Sequence, residues 1–179
     1  MGRTQRLQAM GGALAVLVML AGCNDNGLTA ASSIPTPPWP RPDDTAGRVQ
    51  AAGLRLLATE GTVLHIHSLL KVFYNGQPVV VPAAIGIINN GISPLHTHDT
   101  TGLVHVESPE KLDFTLGQFF AEWGVPLTGA KAWAAGQPVA DPAALVFKDQ
   151  TAVTVAFGAA PNPVPSVYAI PTGAPTTMP

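Results

Sequence analysis

A run of strand-forming residues, 63–74, ends in Asn75-Gly76, and this junction constrains the fold more than any other stretch of the chain. The run is rich in Val, Leu, Ile, Phe and Tyr and alternates imperfectly between apolar and polar positions. Asn-Gly suits the two left-handed positions of a two-residue hairpin turn, so residues 77–81 are expected to return as the antiparallel partner. A Gly/Asn-rich loop follows at 86–91, and a second hairpin fits 94–107 with Thr100-Thr101 at its tip. Residues 114–123 form the one well-marked helix. Asp113 or Thr115 can cap it, Leu116, Phe119, Phe120 and Trp123 make its apolar stripe, and Gly124 ends it. Two further strands fit 130–133 and 152–157, with Gly136-Gln137-Pro138-Val139 as a turn between them.

Hairpin, hairpin, helix and further strands describe an α+β domain: a mostly antiparallel sheet with one packed helix. The order of elements resembles a ubiquitin-like β-grasp domain with an extra hairpin inserted before the helix. An all-β sandwich or a cupin-like barrel is the alternative.

The ends of the chain read differently from its middle. Arg3 and Arg6 precede a short apolar run, 13–20, and the segment closes on Leu20-Ala21-Gly22-Cys23. The run falls short of the roughly 20 residues a membrane-crossing helix needs. Small residues before a lone cysteine resemble the lipobox of bacterial lipoproteins, which implies a signal peptide over 1–22 and a lipidated Cys23. Pro-rich residues 23–46 are expected to form a flexible tether outside the core. The domain is expected over 47–158, followed by a Pro-rich tail, 159–179, whose Val167-Tyr168-Ala169-Ile170 can dock as a final strap. Cys23 is the only cysteine, which excludes disulfides and thiolate metal ligands from the domain. Removing Arg3 and Arg6 from nine basic residues leaves seven against eleven acidic ones, a net charge of −4. That balance offers no basic patch for nucleic acid and no polybasic membrane contact.

The chemistry is concentrated in five histidines, His65, His67, His96, His98 and His105, with no other histidine in the chain. Strand alternation puts His65 and His67 on one face. If Thr100 and Thr101 form the loop, Asp99 pairs with Gly102, His98 with Leu103 and His96 with His105. Paired residues share a face, so His96, His98 and His105 converge and Glu107 joins them by alternation, while Val104 and Val106 turn to the core. A one-residue slip would separate His96 from His105. Imidazole is the commonest transition-metal ligand, and the candidate metal site is His65, His67, His96, His98, His105 and Glu107. Asp99 is read as shaping the turn, and Glu60 as the weakest candidate. No methionine lies near the histidines, so a nitrogen-rich site for copper(II) or zinc is favoured over a thioether site for copper(I).

The stretches LHIHSLLKVFYNGQPVVVPAAIGI and ISPLHTHDTTGLVHVESPEKLDFTLGQFFAEWGV resemble a group of uncharacterised secreted or lipid-anchored bacterial proteins. The resemblance implies a shared histidine site and no particular activity. Gly91, His96-x-His98 and a later Glu are also similar to the first cupin motif, but Glu107 comes too late for it and the second motif is missing.

These features lead to a membrane-anchored protein of the cell envelope, facing the periplasm or the exterior. It is expected to hold copper or zinc through its histidines for delivery, buffering or sensing, with an envelope protein as possible partner. The alternative is a metal-dependent hydrolase or oxidoreductase in which Glu107 or Asp99 is general base to a metal-activated water. A third class is a metal-free interaction module whose histidines respond to pH.

Overall fold

Asn75 and Gly76 adopt left-handed backbone, with φ of 49° and 80°, and turn β1 (Leu64–Tyr74) into β2 (Gln77–Val79). The computed structural model describes residues 34–170, together with Met1 and Gly2. The rest of the expected signal peptide, Cys23, the first part of the tether and the end of the tail lie outside the described residues.

The fold is α+β. Seven strands make one mostly antiparallel sheet, ordered β5 (Leu95–His96), β6 (Leu103–Ser108), β1, β9 (Thr151–Phe157), β7 (Ala130–Ala134) and β8 (Gln137–Val139). β2 extends the β6 edge of β1, and β9 lies parallel to β1 on the other edge. A central first strand beside a parallel last strand is the arrangement expected of a β-grasp-like order with an inserted hairpin. It leaves an open sheet covered by a helix instead of the alternative sandwich or barrel. A small separate ribbon pairs β3 (Ile87–Ile88) with β4 (Gly91–Ile92).

Helix α2 (Leu116–Trp123) begins in a capping box between Thr115 and Gln118 and ends at Gly124 in left-handed conformation. Its Leu116, Phe119, Phe120 and Trp123 pack on Leu70, Val72, Val104, Val106, Val153 and Val155 of the sheet. The strands therefore divide by alternation. Even-numbered positions of β1 and β6 supply the core, and odd-numbered ones supply the opposite face, which carries the histidines.

Three expectations are corrected. The Pro-rich stretch is not all tether, because Trp39 is buried among Tyr74, Trp123 and Phe157, with ring centroids 5.2–6.1 Å away. Its carbonyl accepts the Trp123 indole N–H at 3.2 Å. An unforeseen short helix, α1 (Thr45–Ala51), follows it, capped by Asp44, so the packed domain starts before residue 47. Second, residues 136–139 are not a simple turn, because Ala135-Gly136 turns β7 into β8. Trp133↔Pro138 there matches Phe73↔Pro78 in the first hairpin. Third, the second hairpin pairs only through Leu95↔Val106 and His96↔His105, and the loop runs from 97 to 102. The tail is tied by the Thr154 hydroxyl to the Pro165 carbonyl, while Val167 and Ile170 remain exposed.

Trp39→Ala is expected to destabilise the domain by about 3–5 kcal/mol, the range for deleting a buried aromatic ring. Urea denaturation checks this, and a loss below about 1 kcal/mol would show that the Pro-rich stretch is peripheral after all.

Candidate metal centre

Three strand pairings build the centre. His96 on β5 pairs with His105 on β6, and His105 pairs with His67 on β1. One step along, Glu107 pairs with His65. These five side chains therefore share one face in two adjacent rows. His98 joins them from the loop after β5, with its ring centroid 4.5 Å from that of His105 and 4.8 Å from that of His96. It arrives although the expected pairing with Leu103 does not form, since the β5–β6 ladder stops at His96↔His105.

The loop is held by residues that make no contact with the ring nitrogens. Thr97 is fully buried and stitched to the preceding segment. Its N–H donates to Ile85 O at 3.2 Å, its carbonyl accepts from Ala84 N–H at 2.7 Å, and its hydroxyl donates to Pro82 O at 2.8 Å. Asp99 accepts from the Thr101 N–H at 2.8 Å, the turn-shaping role expected of it. Gly102 closes the loop at φ 83°, where a Cβ would lie 2.3 Å from Leu70 O.

Glu60 is the residue that sequence reasoning undervalued. It rides on a strap fixed at both ends, by paired Leu57–Ile92 backbone hydrogen bonds and by Val63 N–H to Ser108 O at 3.1 Å. Gly61 lets this strap press on β6, since a Cβ there would sit 2.1 Å from the Ser108 carbonyl carbon. Glu60 Oε1 thus comes within 3.4 Å of His98 Nε2 and 3.8 Å of His96 Nε2. The acidic residue beside a glycine was the only signal in the sequence, and it does not reveal the close approach.

The protonation pattern follows from the partners. His96 Nδ1 lies 2.9 Å from Ser93 O, and a carbonyl can only accept, so Nδ1 carries the proton and Nε2 turns a lone pair inward. His105 Nδ1 faces Glu107 Oε1 at 3.0 Å and donates to it, with His67 Nε2 at 3.2 Å from the same nitrogen. His96, His105 and Glu107 are almost wholly buried, whereas the His65 side chain is 36% exposed. The inner histidines His96 and His105 are therefore closed off from solvent.

Burial pushes the His96 imidazole down to about 3, with the neighbouring His105 and His98 adding to the effect against Glu107 and the Ser93 carbonyl. His98 and His67 are lowered for the same leading reason. Burial, followed by the Glu107 charge, raises Glu60. Burial would also raise Glu107, but its hydrogen bond from His105, with the electrostatic influence of the surrounding histidines behind it, outweighs that and holds it low. Neutral imidazoles beside carboxylates are the form in which these groups ligate a cation.

Ligand-capable atoms of His96, His98 and His105 lie within 4.8 Å of one another, as do those of His65, His67 and Glu107, and those of Glu60, His96 and Glu107. No protein-family model, curated protein or solved structure matches the chain.

Behind the centre, Ser93 connects to helix α2. Its hydroxyl donates to Glu122 Oε1 and accepts the Leu95 N–H at 3.2 Å, while its carbonyl orients His96. Burial pushes the Glu122 carboxyl up to about 8, opposed by the Ser93 hydrogen bond. A folded-state value raised above 4.5 gives stability that is complete below about pH 4.5 and lost as pH rises through about 8. Glu122→Gln is therefore expected to match the wild type near pH 4.5 and to be progressively more stable than it toward pH 8. Urea midpoints of the two proteins across that range check this; a gap independent of pH would contradict it.

Proposed function

We propose that the protein is a lipid-anchored component of the bacterial cell envelope that holds a copper or zinc ion for delivery, buffering or sensing. His96, His98 and His105 would ligate the ion, with Glu60 and Glu107 supplying carboxylate oxygens. One observation carries this reading. Among the described residues, five buried side-chain atoms lack a hydrogen-bond partner, and four of them converge here: Glu60 Oε1, His96 Nε2, His98 Nε2 and Glu107 Oε2. The lone pair of His96 Nε2 faces carboxylate oxygens at 3.8 and 4.0 Å, so acceptor meets acceptor in a buried space. Such an arrangement is costly unless a cation lies between the groups. Ligands about 2.0–2.1 Å from a tetrahedral zinc stand roughly 3.3 Å from one another. The carboxylate–imidazole separations of 3.4, 3.8 and 4.0 Å close on that spacing by shifts of up to about 0.7 Å, and the three histidine nitrogens, within 4.8 Å of one another, need larger side-chain rotations.

The donor set suits the same metals. It offers imidazole nitrogen and carboxylate oxygen without sulfur, which fits zinc or copper(II) and disfavours calcium and magnesium. The anchor is inferred from Cys23, which lies outside the described residues. Among those residues no helix is long and apolar enough to cross a membrane. An enzymatic reading has one feature in its favour: Glu60 also lines a cavity of about 300 Å³ with Asn89 and Asn90, so a metal-activated water could meet a substrate there.

The purified protein is expected to retain one equivalent of copper or zinc through gel filtration, and to melt lower once stripped and higher once reloaded. At a thousandfold excess of metal over Kd the gain is about 4 kcal/mol. The His96→Ala/His98→Ala variant should lose tight binding while keeping the circular dichroism of the fold. Full-strength binding by a folded double variant would overturn the assignment. Separately, Cys23→Ser should move the protein from the membrane fraction of its host to the soluble fraction, and unchanged fractionation would refute the anchor.

A further inference from the structure

We propose that the protein binds a second divalent transition-metal ion beside the first, at His65, His67 and Oε1 of Glu107, so that Glu107 bridges a pair of metals. The proposal rests on the reading of His96, His98 and His105 as the inner metal site and extends it outward.

Glu107 is the pivot because its two oxygens serve different neighbours. Oε1 lies 3.3 Å from His65 Nε2 and 3.0 Å from His105 Nδ1. Oε2 lies 4.0 Å from His96 Nε2 and has no hydrogen-bond partner. The carboxylate therefore belongs to one ligand group with His65 and His67 and to another with Glu60 and His96. Sharing of one carboxylate between two such groups is the geometry of two-metal sites, whose ions stand about 3.5–4 Å apart.

The outer histidines are placed by the strand itself. His65 and His67 are two residues apart on β1, share its outer face, and stand opposite Glu107 and His105. Their rings lie 4.9 Å apart between centroids. A surface His-x-His pair with no further partner would be unremarkable, but here the pair closes on a carboxylate only 2% exposed.

Occupancy should be sequential. Four of the inner ligand atoms, Glu60 Oε1, His96 Nε2, His98 Nε2 and Glu107 Oε2, are unpartnered, so an inner ion meets them without displacing a hydrogen bond. The outer atoms are already engaged: His65 with Glu107, and His67 with His105. A second ion must break these contacts and approach a charge already bound, with Glu60 and Glu107 as the ligand-group carboxylates against four positive charges. Exposure runs the same way, from His65 at 36% to His96 at 0%. The outer site is thus the more exposed of the two, while the inner one meets solvent on its other side through Glu60, 24% exposed, and His98, 11% exposed.

The test is a Cu²⁺ titration of the stripped full-length protein, followed by calorimetry and electron paramagnetic resonance. Two equivalents are expected, the second at least tenfold weaker, with loss of the isolated-Cu²⁺ signal and appearance of a coupled-pair signal as the second binds. His65→Ala/His67→Ala should keep the first equivalent at full strength, lose the second and never show coupling. His65→Gln alone, at the exposed position, should weaken only the second step and guards against a double variant that fails to fold. A single equivalent in the wild type, or two without magnetic coupling, would overturn the pair and leave the inner site standing. Loss of the first equivalent in folded His65→Ala/His67→Ala would also overturn it, since the sites would not be separable. No binding at all would remove the inner site as well, and so is distinguishable from failure of the pair alone.

Discussion

The register of three strands is the constraint on which the rest depends. Pairing of His96 with His105 and of His105 with His67 sets three imidazoles in a row across β5, β6 and β1. Because side chains alternate, the same register sends Val104 and Val106 to the core at 0–1% exposure. A slip by one residue would bury the histidines against α2 and expose the valines, so the hydrophobic effect and the placement of the site are one choice. The ion does not need to define the register. The core does that, and the histidines are carried along on the other face.

A sheet face that carries four imidazoles and a carboxylate, joined by His98 from a loop and Glu60 from a strap, is an unusual way to use a sheet. Thr154 and Ala156, on the same face of β9 as the histidines are on β1, are fully buried, and the Thr154 hydroxyl is satisfied by the Pro165 carbonyl. Leu69 and Leu103 are buried on it too. The histidine rows therefore sit at the edge of a covered region, with the Glu60 strap and the 97–102 loop closing the β5 side. This explains why His96 is so thoroughly desolvated while His65, two strands away, reaches solvent. Desolvation favours the neutral form of His96 and His98, and neutral imidazole is the ligating form.

Much of this was legible from residue order. The Asn75-Gly76 turn, the capped helix ending at Gly124, and the convergence of His96 and His105 all follow from local rules that no tertiary contact overrides. What escaped the sequence depends on contacts distant along the chain. Trp39 sits in a Pro-rich stretch that reads as tether, and only the aromatic cleft of Tyr74, Trp123 and Phe157 gives it a place in the core. Ala135 lacks the asparagine that marks a hairpin turn, yet with Gly136 it repeats the first turn before an identical Gln-Pro-Val. No spacing in the sequence ties Glu60 to the histidines. Its position is set by Gly61 packing against the Ser108 backbone and by the Leu57–Ile92 bridge. His98 shows a different case: the expected pairing fails, but the Thr97 stitching delivers the same ring to the same place.

Helix α2 enters the argument through Glu122. A carboxyl that is almost wholly buried is normally excluded from a core unless something uses it. Here its partner is the Ser93 hydroxyl, and the carbonyl of the same residue fixes the His96 ring. Ser93 and Pro94 also lead into β5, where the Pro94 carbonyl accepts the Glu107 N–H at 2.8 Å. One short segment thus orients the His96 ring and pins the backbone of Glu107. The helix is therefore more than a cover for the apolar face. Through Glu122 and Ser93 it holds His96 from behind, and rotation of that ring would require disturbing the packing of α2 itself. A ligand set held this way is preorganised, and the energy that orients it comes from the core, so a bound ion need not supply it.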